Sequence, residues 1–491
     1  MNELNRYLET IDEVIAKGPY KDTWGSLSQY QVPHWYQSAK FGIFIHWGVF
    51  SVPAFANEWY SRNMYRKDSE EYKHHIETYG KHTEFGYKDF IPMFQAEKFD
   101  PTEWTDLFCK AGARYIVPVA EHHDGFQMYQ SNISHWNASE KGPRRDVLGE
   151  LKEVCSKRGM QVGASSHRAE HWFFMGGGKE FESDIKEPLK RGDFYWPSMP
   201  DADFHDLYSE PCPTEEYLQD WLVRCCEIVD KYQPKLLYFD WWIQHSAFRP
   251  YLKKIAAYYY NRAAEWGTEV VINYKHDAFM FGTAVPDVER GQFAERKPFF
   301  WQTDTSVALN SWCYTKQNEY RSSSEILCDL VDIVSKNGCL LLNIGPKADG
   351  SIPEKDRQIL LEIGRWLAVN GEAVYCSKIW RKSAEGPTKI VEGQFTDNIK
   401  KNFTAQDIRF TIANGYLYAI VLKYSESGDY LITSLDIQDA SSQDHFSGII
   451  KDVCVLGCGE VPCWERQKDG LHIHTNYRDG NNPIVFRITI D

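Results

Sequence analysis

The chain has 491 residues, which is too long for one ordinary domain of about 150 residues. Hydrophobic residues make up 43% and charged residues 25%, a composition that excludes intrinsic disorder or a coiled coil for the chain as a whole. The net charge of −14 repels phosphate and therefore disfavours nucleic acid and anionic membranes as partners. No apolar run approaches the ~18 residues that a membrane-spanning helix requires.

The amino-terminal segment and the cysteines predict a cytoplasmic protein. Residues 1–19 are acidic and amphipathic, without the basic and apolar regions of a signal peptide. The twelve cysteines are dispersed, and most fall in apolar helix or strand patterns, where a thiol packs as a small hydrophobe. Cys454, Cys458 and Cys463 lack CxxC spacing. We therefore expect structural free thiols, and a secreted protein only if a leader has been removed.

Short apolar runs alternate with helical patterns between about residues 40 and 345. The predicted strands cover 41–48, 113–120, 160–166, 235–240, 269–274, 299–304 and 339–344. Helices are predicted between them, at 101–113, 146–159, 215–233 and 323–338, with proline, serine and glycine at their ends. This rhythm indicates parallel βαβ units. Seven strands over ~300 residues favour a closed (β/α)8-like barrel with one weak strand.

The chain divides into three predicted parts. Residues 1–30 form a helical lead-in, 31–372 the (β/α)8-like catalytic barrel, and 373–491 a carboxy-terminal antiparallel β-sandwich. In the last part, apolar and polar residues alternate with period two and are interrupted by Asn-Gly, Ser-Gly and Asp-Gly turns. The fold class is therefore α/β, with a small all-β module attached.

Polar residues stand at the carboxyl end of every predicted strand. They are His46, Glu121, His122, His123, Asp124, His167, Asp240, Asn273, Gln302, Asp304 and Asn343. In a barrel these ends face one mouth, where active sites are built from the βα loops. The sequence therefore predicts a functional site at this mouth. Aromatic residues make up 15% of the chain, and some of them are expected to line a site for ring-shaped ligands such as sugars.

Two groups of carboxylates suggest glycoside hydrolysis. Asp240 ends an apolar strand and precedes two tryptophans, where a carboxylate is costly unless it is paired or used. Asp287, Glu289 and Glu295 lie in a segment that we interpret as a loop opening at the same mouth. Glycosidases need two carboxyl groups, one on each side of the scissile bond.

The histidines allow a different interpretation, a metal cluster of the kind found in amidohydrolase-like barrels. His46, His122, His123 and His167 are the candidate ligands. However, adjacent histidines on a strand point to opposite sides, and the first strand lacks an HxH pair. Neutral histidines that bind sugar hydroxyls need no metal, so we expect neither a metal nor an organic cofactor.

Long motifs in the same order resemble the α-L-fucosidases of glycoside hydrolase family 29. The resemblance covers about residues 30–370 and is carried by 35–65 (WYQSAKFGIFIHWG…), 99–131 (…VPVAEHHDGFQMYQS), 301–314 (WQTDTSVALNSWCY) and 330–353 (…NGCLLLNIGPKADG…). It implies a retaining hydrolase that removes terminal α-L-fucose from fucosylated glycans by double displacement.

The resemblance also implies roles for individual residues. The family's nucleophile falls on Asp240, and its acid/base falls on Glu289, with Asp287 and Glu295 as alternatives. Substrate-binding residues fall on His46, Glu58, Trp59, His122, His123, Trp136 and Tyr238. The sequence departs from the family at Trp241 and Trp242, where glycine more commonly follows the nucleophile, and this puts the leaving-group side of the site in question.

Other functions stay open at this stage. They are a related retaining glycosidase for another sugar, a metal-dependent hydrolase, and a catalytically silent sugar-binding protein. Segments 66–98 and 172–214 are expected to decide which linkage is cleaved. A homo-oligomer is possible.

Overall fold

The computed structural model describes residues 3–203, 205–437 and 446–491. Nine strands form its parallel sheet: β1 (Phe41–Ile45), β2 (Tyr115–Glu121), β3 (Gln161–Val162), β4 (Ala164–Ser166), β5 (Leu236–Phe239), β6 (Val271–Tyr274), β7 (Val285–Glu289), β8 (Trp301–Ser306) and β9 (Gly338–Ile344). Strand β1 pairs in parallel with both β2 and β9 and so closes the sheet into a barrel. Because β3 and β4 both pair with β2, separated by Gly163, the barrel has eight strand positions, as predicted.

One barrel strand was predicted wrongly. Segment 285–289 is strand β7, not a loop, and it pairs with β6 on one side and β8 on the other. Its alternating positions Asp287 and Glu289 are buried, and Pro286 interrupts the run. The strand is hidden in the sequence because the side chains on this face are carboxylates instead of aliphatic groups.

The helices surround the barrel and supply its outer layer. They are α1 (Glu3–Lys17), α2 (Trp24–Leu27), α3 (His34–Ala39), α4 (Tyr60–Asn63), α5 (Glu70–Tyr79), α6 (Pro101–Lys110), α7 (Val147–Lys157), α8 (His171–Phe174), α9 (Glu215–Tyr232), α10 (Arg249–Glu265), α11 (Ser323–Ser335) and α12 (Glu354–Asn370). Their ends follow local chemistry, as where the Ser322 side chain and Glu325 form a capping box at the start of α11. No helix in the described ranges is both long and apolar enough to cross a bilayer.

The carboxy-terminal module contains two antiparallel sheets. One has the order β10 (Lys378–Glu385), β11 (Ile408–Ala413), β12 (Tyr416–Val421), β17 (Ile484–Ile490) and β14 (Ile450–Val455). The other contains β13 (Asp429–Ile432), β16 (Gly470–His474) and β15 (Cys463–Gln467). Apolar side chains of both sheets share one core, so the module is a β-sandwich and the predicted fold class is confirmed.

The sandwich is fixed to the barrel by buried contacts on α11 and α12. Arg409 of β11 forms a buried ion pair with Asp332 of α11, and the Trp366 indole N–H donates to the Pro483 carbonyl at 2.9 Å. Tyr418 and Val485 belong to the same apolar core as the barrel. Burial of these groups on both sides stabilises one arrangement of the two parts.

Candidate active site

A cavity of about 450 Å³ opens at the carboxyl ends of the barrel strands. Its lining combines residues with aromatic or imidazole rings and residues with ionisable side chains. They are Phe44, His46, Glu58, Trp59, His122, His123, His167, Glu170, His205, Tyr238, Asp240, Trp241, Lys275, Glu289, Asp304, Trp312 and Phe395.

Asp240 follows β5 directly and is held by three cationic or donor groups. Its Oδ2 lies 2.9 Å from His167 Nδ1 and 3.4 Å from His123 Nε2, and its Oδ1 lies 3.3 Å from Lys275 Nζ. Burial alone would raise the pKa of Asp240, but Lys275 and His167 outweigh this effect and hold the pKa well below its ordinary value. The carboxylate is therefore ionised and fixed in orientation, as a nucleophile requires.

Glu289, the last residue of β7, has the properties of a proton donor. Its Oε2 lies 2.6 Å from Lys275 Nζ and accepts a hydrogen bond from the Trp241 indole N–H. Burial raises the pKa of Glu289 to about 7, against the opposing effect of the Lys275 ammonium group. Asp240 and Glu289 thus have pKa values shifted in opposite directions, which is the arrangement that assigns a base-like and an acid-like role to two neighbouring carboxyl groups.

The two alternative acids are placed differently. Glu295 is exposed and does not line the cavity, so its location is wrong for proton donation there. Asp287 lies inside the barrel below Glu289, where Gln302 Nε2 donates to its Oδ1 at 2.7 Å. Burial and the neighbouring Asp304 raise the pKa of Asp287 well above its ordinary value. Since Asp287 is not part of the cavity lining, Glu289 is the better placed acid.

Lys275 connects the carboxylates, and the sequence interpretation missed it. It follows β6 directly, and its Nζ lies within 4 Å of carboxylate oxygens on four residues, namely Asp240, Asp287, Glu289 and Asp304. Burial opposes its charge, yet the carboxylates of Asp304 and Glu289 raise the pKa of Lys275 well above its ordinary value. The strand-end rule could have found this residue, because it stands two positions after Asn273.

His46 and His122 are neutral in this environment. Burial lowers the pKa of each well below its ordinary value. His46 Nδ1 lies 2.7 Å from Asn343 Oδ1, and its ring stacks on Trp312 at a centroid distance of 5.2 Å. His122 Nδ1 is buried without a hydrogen-bond partner among the described residues. Neutral imidazoles of this kind both donate to and accept from sugar hydroxyls.

His123 has the opposite charge state. Burial lowers its pKa, but Glu170 at 3.8 Å and Asp240 raise it to about 9. Because the chain leaves β2 after Glu121, the rings of His122 and His123 both reach the cavity, at a centroid distance of 4.4 Å. The expectation that these adjacent histidines point to opposite sides was therefore wrong.

The remaining predicted sugar contacts divide into two groups. Glu58, Trp59 and Tyr238 line the cavity. Glu58 Oε2 accepts the Trp312 backbone N–H at 3.0 Å, and the Tyr238 hydroxyl donates to Asp304 at 2.7 Å. Trp136 does not line the cavity; its indole N–H donates to the Gly192 carbonyl at 3.0 Å.

The histidine cluster also bears on the metal alternative. Ring nitrogens of His46, His122 and His167 lie within 4.8 Å of one another. However, both ring nitrogens of His167 are engaged, Nδ1 with Asp240 and Nε2 with Ser165 Oγ at 3.0 Å. A metal at this position would have to displace one of these partners, so the donor set is better satisfied as a hydrogen-bonding network.

Comparison with known proteins agrees with this geometry. The model of the family described as Alpha-L-fucosidase matches residues 8–372. The tissue alpha-L-fucosidase of Rattus norvegicus is 33% identical over 388 residues, 77% of each chain. The Thermotoga maritima alpha-fucosidase is 28% identical and covers 96% of this chain and 100% of its own. Its structures with a mechanism based inhibitor and with fucose give TM-scores of 0.75 and 0.73.

The match spans the barrel and the cavity-lining residues from Phe44 to Trp312, including Asp240, Lys275 and Glu289, whereas Phe395 lies beyond it. The fold likeness extends over the sandwich as well. On this evidence the chain belongs to the alpha-L-fucosidase family of glycoside hydrolases.

Proposed function

We propose that the protein is a retaining exo-α-L-fucosidase that removes terminal α-L-fucose from glycans through a covalent fucosyl-enzyme intermediate. The short distance between the two carboxyl groups supports the retaining mechanism. Lys275 Nζ lies 3.3 Å from Asp240 Oδ1 and 2.6 Å from Glu289 Oε2. This one pair of carboxylate oxygens is therefore at most about 6 Å apart, which favours the ~5–5.5 Å separation of the two carboxyl groups in retaining enzymes over the ~6.5–9.5 Å in inverting ones.

In the first step, Asp240 attacks the anomeric carbon of fucose while Glu289 protonates the glycosidic oxygen. The bond from carbon to the leaving group breaks, and an ester between fucose and Asp240 forms. The negative charge of Asp240, which helps to raise the pKa of Glu289, is lost in this ester. The pKa of Glu289 is therefore lower in the intermediate, and its carboxylate can act as a base. In the second step Glu289 takes a proton from water, which attacks the same carbon and releases Asp240.

The cavity fits a 6-deoxy sugar with three free hydroxyl groups. Neutral His46 and His122 and the carboxylate of Glu58 supply hydrogen-bonding groups. Phe44 and Trp312 supply apolar surface for the methyl group and the ring. The comparison structure of the Thermotoga enzyme with fucose supports the same class of substrate for this chain.

Hydrolysis of 4-nitrophenyl α-L-fucoside by the purified protein tests this proposal. We expect release of 4-nitrophenol at a rate that EDTA does not change, because the proposed steps use only side chains. Loss of activity with EDTA, restored by added Zn²⁺, would favour the metal-dependent hydrolase. If the aryl fucoside and a panel of fucosylated oligosaccharides are all left intact, the protein acts on another sugar or is a silent binding protein.

The pH dependence of kcat/KM should show the opposite shifts of the two carboxyl groups. Glu289 must be protonated for the first step, and its pKa is raised to about 7. Activity should therefore fall as the pH rises through about 7. Asp240 must be ionised, and its pKa is lowered, so the acidic limb should lie below the ordinary pKa of aspartic acid, ~3.9. Activity that increases steadily up to pH 9 would contradict these assignments.

We also propose that the protein works in a reducing compartment such as the cytoplasm. The twelve cysteines are unpaired, and six of them are buried. Burial raises the pKa of the Cys225, Cys226 and Cys313 thiols, among others, which keeps them unreactive. Titration of free thiols in protein denatured under anaerobic conditions tests this directly. Twelve reactive thiols are expected, and a stoichiometry lower by two or more would contradict it.

A further inference from the structure

A short segment of the carboxy-terminal part reaches into the mouth of the barrel. Residues 393–397 run alongside the chain that follows β7. The Phe395 backbone N–H donates to the Glu289 carbonyl at 2.9 Å, and the Thr396 N–H donates to the Arg290 carbonyl at 2.8 Å. Gly393 and Gln292 exchange backbone hydrogen bonds at 3.1 and 3.3 Å. The segment is therefore paired with the same piece of chain that carries the proposed acid.

Side-chain contacts and a close backbone approach hold the segment in place. Asp397 forms an ion pair with Arg290 at 3.3 Å and accepts from Thr305 Oγ1 at 2.6 Å. Gly291 is needed for the approach, because a Cβ at this position would lie 1.8 Å from the Gly393 carbonyl oxygen. The position of Phe395 is thus determined by contacts on both sides of it.

Phe395 itself is unusual in two ways. Its φ of 55° lies in the left-handed region, which is unfavourable for a bulky side chain. The residue is 51% exposed although it lines the active-site cavity. Burial within the protein therefore does not explain the strained backbone. The contacts on both sides hold this backbone and leave the ring at the cavity, where an exposed aromatic surface is a typical contact for the apolar face of a ligand.

Trp241 lies next to Phe395, and both residues contact the proposed acid, Glu289. The two rings are nearly parallel, with an interplanar angle of 19° and a centroid distance of 6.0 Å. The Trp241 indole N–H donates to the Glu289 carboxylate, and its ring also packs on His276 at 3.9 Å. Both rings are thus tied to Glu289, Trp241 through the carboxylate and Phe395 through the backbone.

We propose that Phe395 and Trp241 form a leaving-group subsite that holds the pyranose ring to which fucose is attached. The proposal rests on the proposed function, in which Glu289 protonates the glycosidic oxygen. The leaving-group sugar, which is attached to that oxygen, must then lie beside Glu289, next to the rings of Phe395 and Trp241. The C–H faces of a galactose or N-acetylglucosamine ring present the apolar surface that aromatic rings bind. The carboxy-terminal module therefore completes the substrate site of the barrel.

Two substrates distinguish a loss of binding in this subsite from a loss of binding in the fucose pocket. α-L-Fucosyl fluoride has a single-atom leaving group, whereas a fucosylated galactose or N-acetylglucosamine disaccharide places a ring in the subsite. The disaccharide used is the one that the wild-type protein hydrolyses fastest. For Phe395→Ala we expect KM for the disaccharide to rise about tenfold, because the variant loses the apolar contact that part of a phenyl ring makes with the sugar. The loss of kcat/KM on the fluoride should be much smaller.

Two further variants complete the test. Phe395→Tyr retains the ring and should restore KM for the disaccharide. Val391→Ala, at an exposed position two residues before the segment 393–397 and outside the cavity lining, should leave the kinetics on both substrates unaffected. Equal losses on the two substrates, or an unchanged KM for the disaccharide, would overturn the proposal. If the wild-type protein hydrolyses neither substrate, the proposed function is wrong. That outcome differs from a failure of the subsite proposal alone, in which wild type hydrolyses both substrates but Phe395→Ala does not discriminate between them.

Discussion

Asp240→Gly is expected to reduce kcat for any α-L-fucoside by at least about 1,000-fold, because it removes the atom that forms the covalent intermediate. KM should change much less, since His46, His122 and Glu58 are left in place. Steady-state kinetics on 4-nitrophenyl α-L-fucoside and on a fucosylated disaccharide measure this. The loss should be similar for both substrates, because each must be attacked by the same nucleophile.

Removal of a buried carboxylate also leaves Lys275 and His123 without one of their partners. Unfolding of Asp240→Gly and of the closer isostere Asp240→Asn should therefore be compared with wild type by circular dichroism. Both variants should be inactive while folded at the assay temperature. A folded variant with wild-type kcat would contradict the assignment of Asp240 as nucleophile.

Glu289→Gln is expected to discriminate between substrates. On a natural disaccharide, kcat/KM should fall by about 100-fold or more, the contribution of general acid catalysis. On 4-nitrophenyl α-L-fucoside, the loss in kcat/KM should be much smaller, because 4-nitrophenolate leaves without a proton. The decline of kcat/KM above pH 7 should disappear on the natural disaccharide, since the group that titrates there has been removed.

A matched control is provided by Glu295→Gln. Glu295 is a carboxylate in the same part of the sequence but is exposed and outside the cavity. We expect this variant to keep the rates and the pH profile of wild type. Equal losses on both substrates in Glu289→Gln, with the basic limb retained, would show that Glu289 is not the proton donor. Asp287 would then be the next candidate.

The barrel was predictable because most of its strands are apolar on both faces. Strand β5, with the sequence LLYF, is fully buried, and its hydrophobic run is apparent in the sequence. Strand β7 was missed because Asp287 and Glu289 occupy its inward positions. The same residues that make this strand chemically useful remove the pattern by which a strand is recognised.

The site was predicted in part, for a comparable physical reason. Residues just past an apolar strand, such as His46 and Asp240, are found by following each strand to its end. Gln302 and Asn343 were predicted in the same way but lie within their strands and do not line the cavity. Asn343 instead positions a lining residue, His46, by a hydrogen bond. Phe395 could not be found in this way, because only the folded chain brings it next to Glu289.

The contacts of Lys275 with four carboxyl groups are not conveyed by the sequence. The charge of this buried lysine is stabilised by the carboxyl groups of four residues that lie within 4 Å of its Nζ. Its ammonium group holds Asp240 ionised and limits the separation of Asp240 and Glu289. The distance between these two groups, which determines whether the reaction retains or inverts configuration, is a property of the three-dimensional arrangement alone.

Azide rescue of Asp240→Gly tests the central claim most directly. Azide can occupy the space left by the carboxylate and attack the anomeric carbon from the same face. With an activated α-L-fucoside as substrate, we predict that azide restores turnover and that the product, identified by NMR, is β-L-fucosyl azide. Formation of the α-azide, or no rescue of a correctly folded variant, would contradict the account of Asp240 as the nucleophile of a retaining α-L-fucosidase.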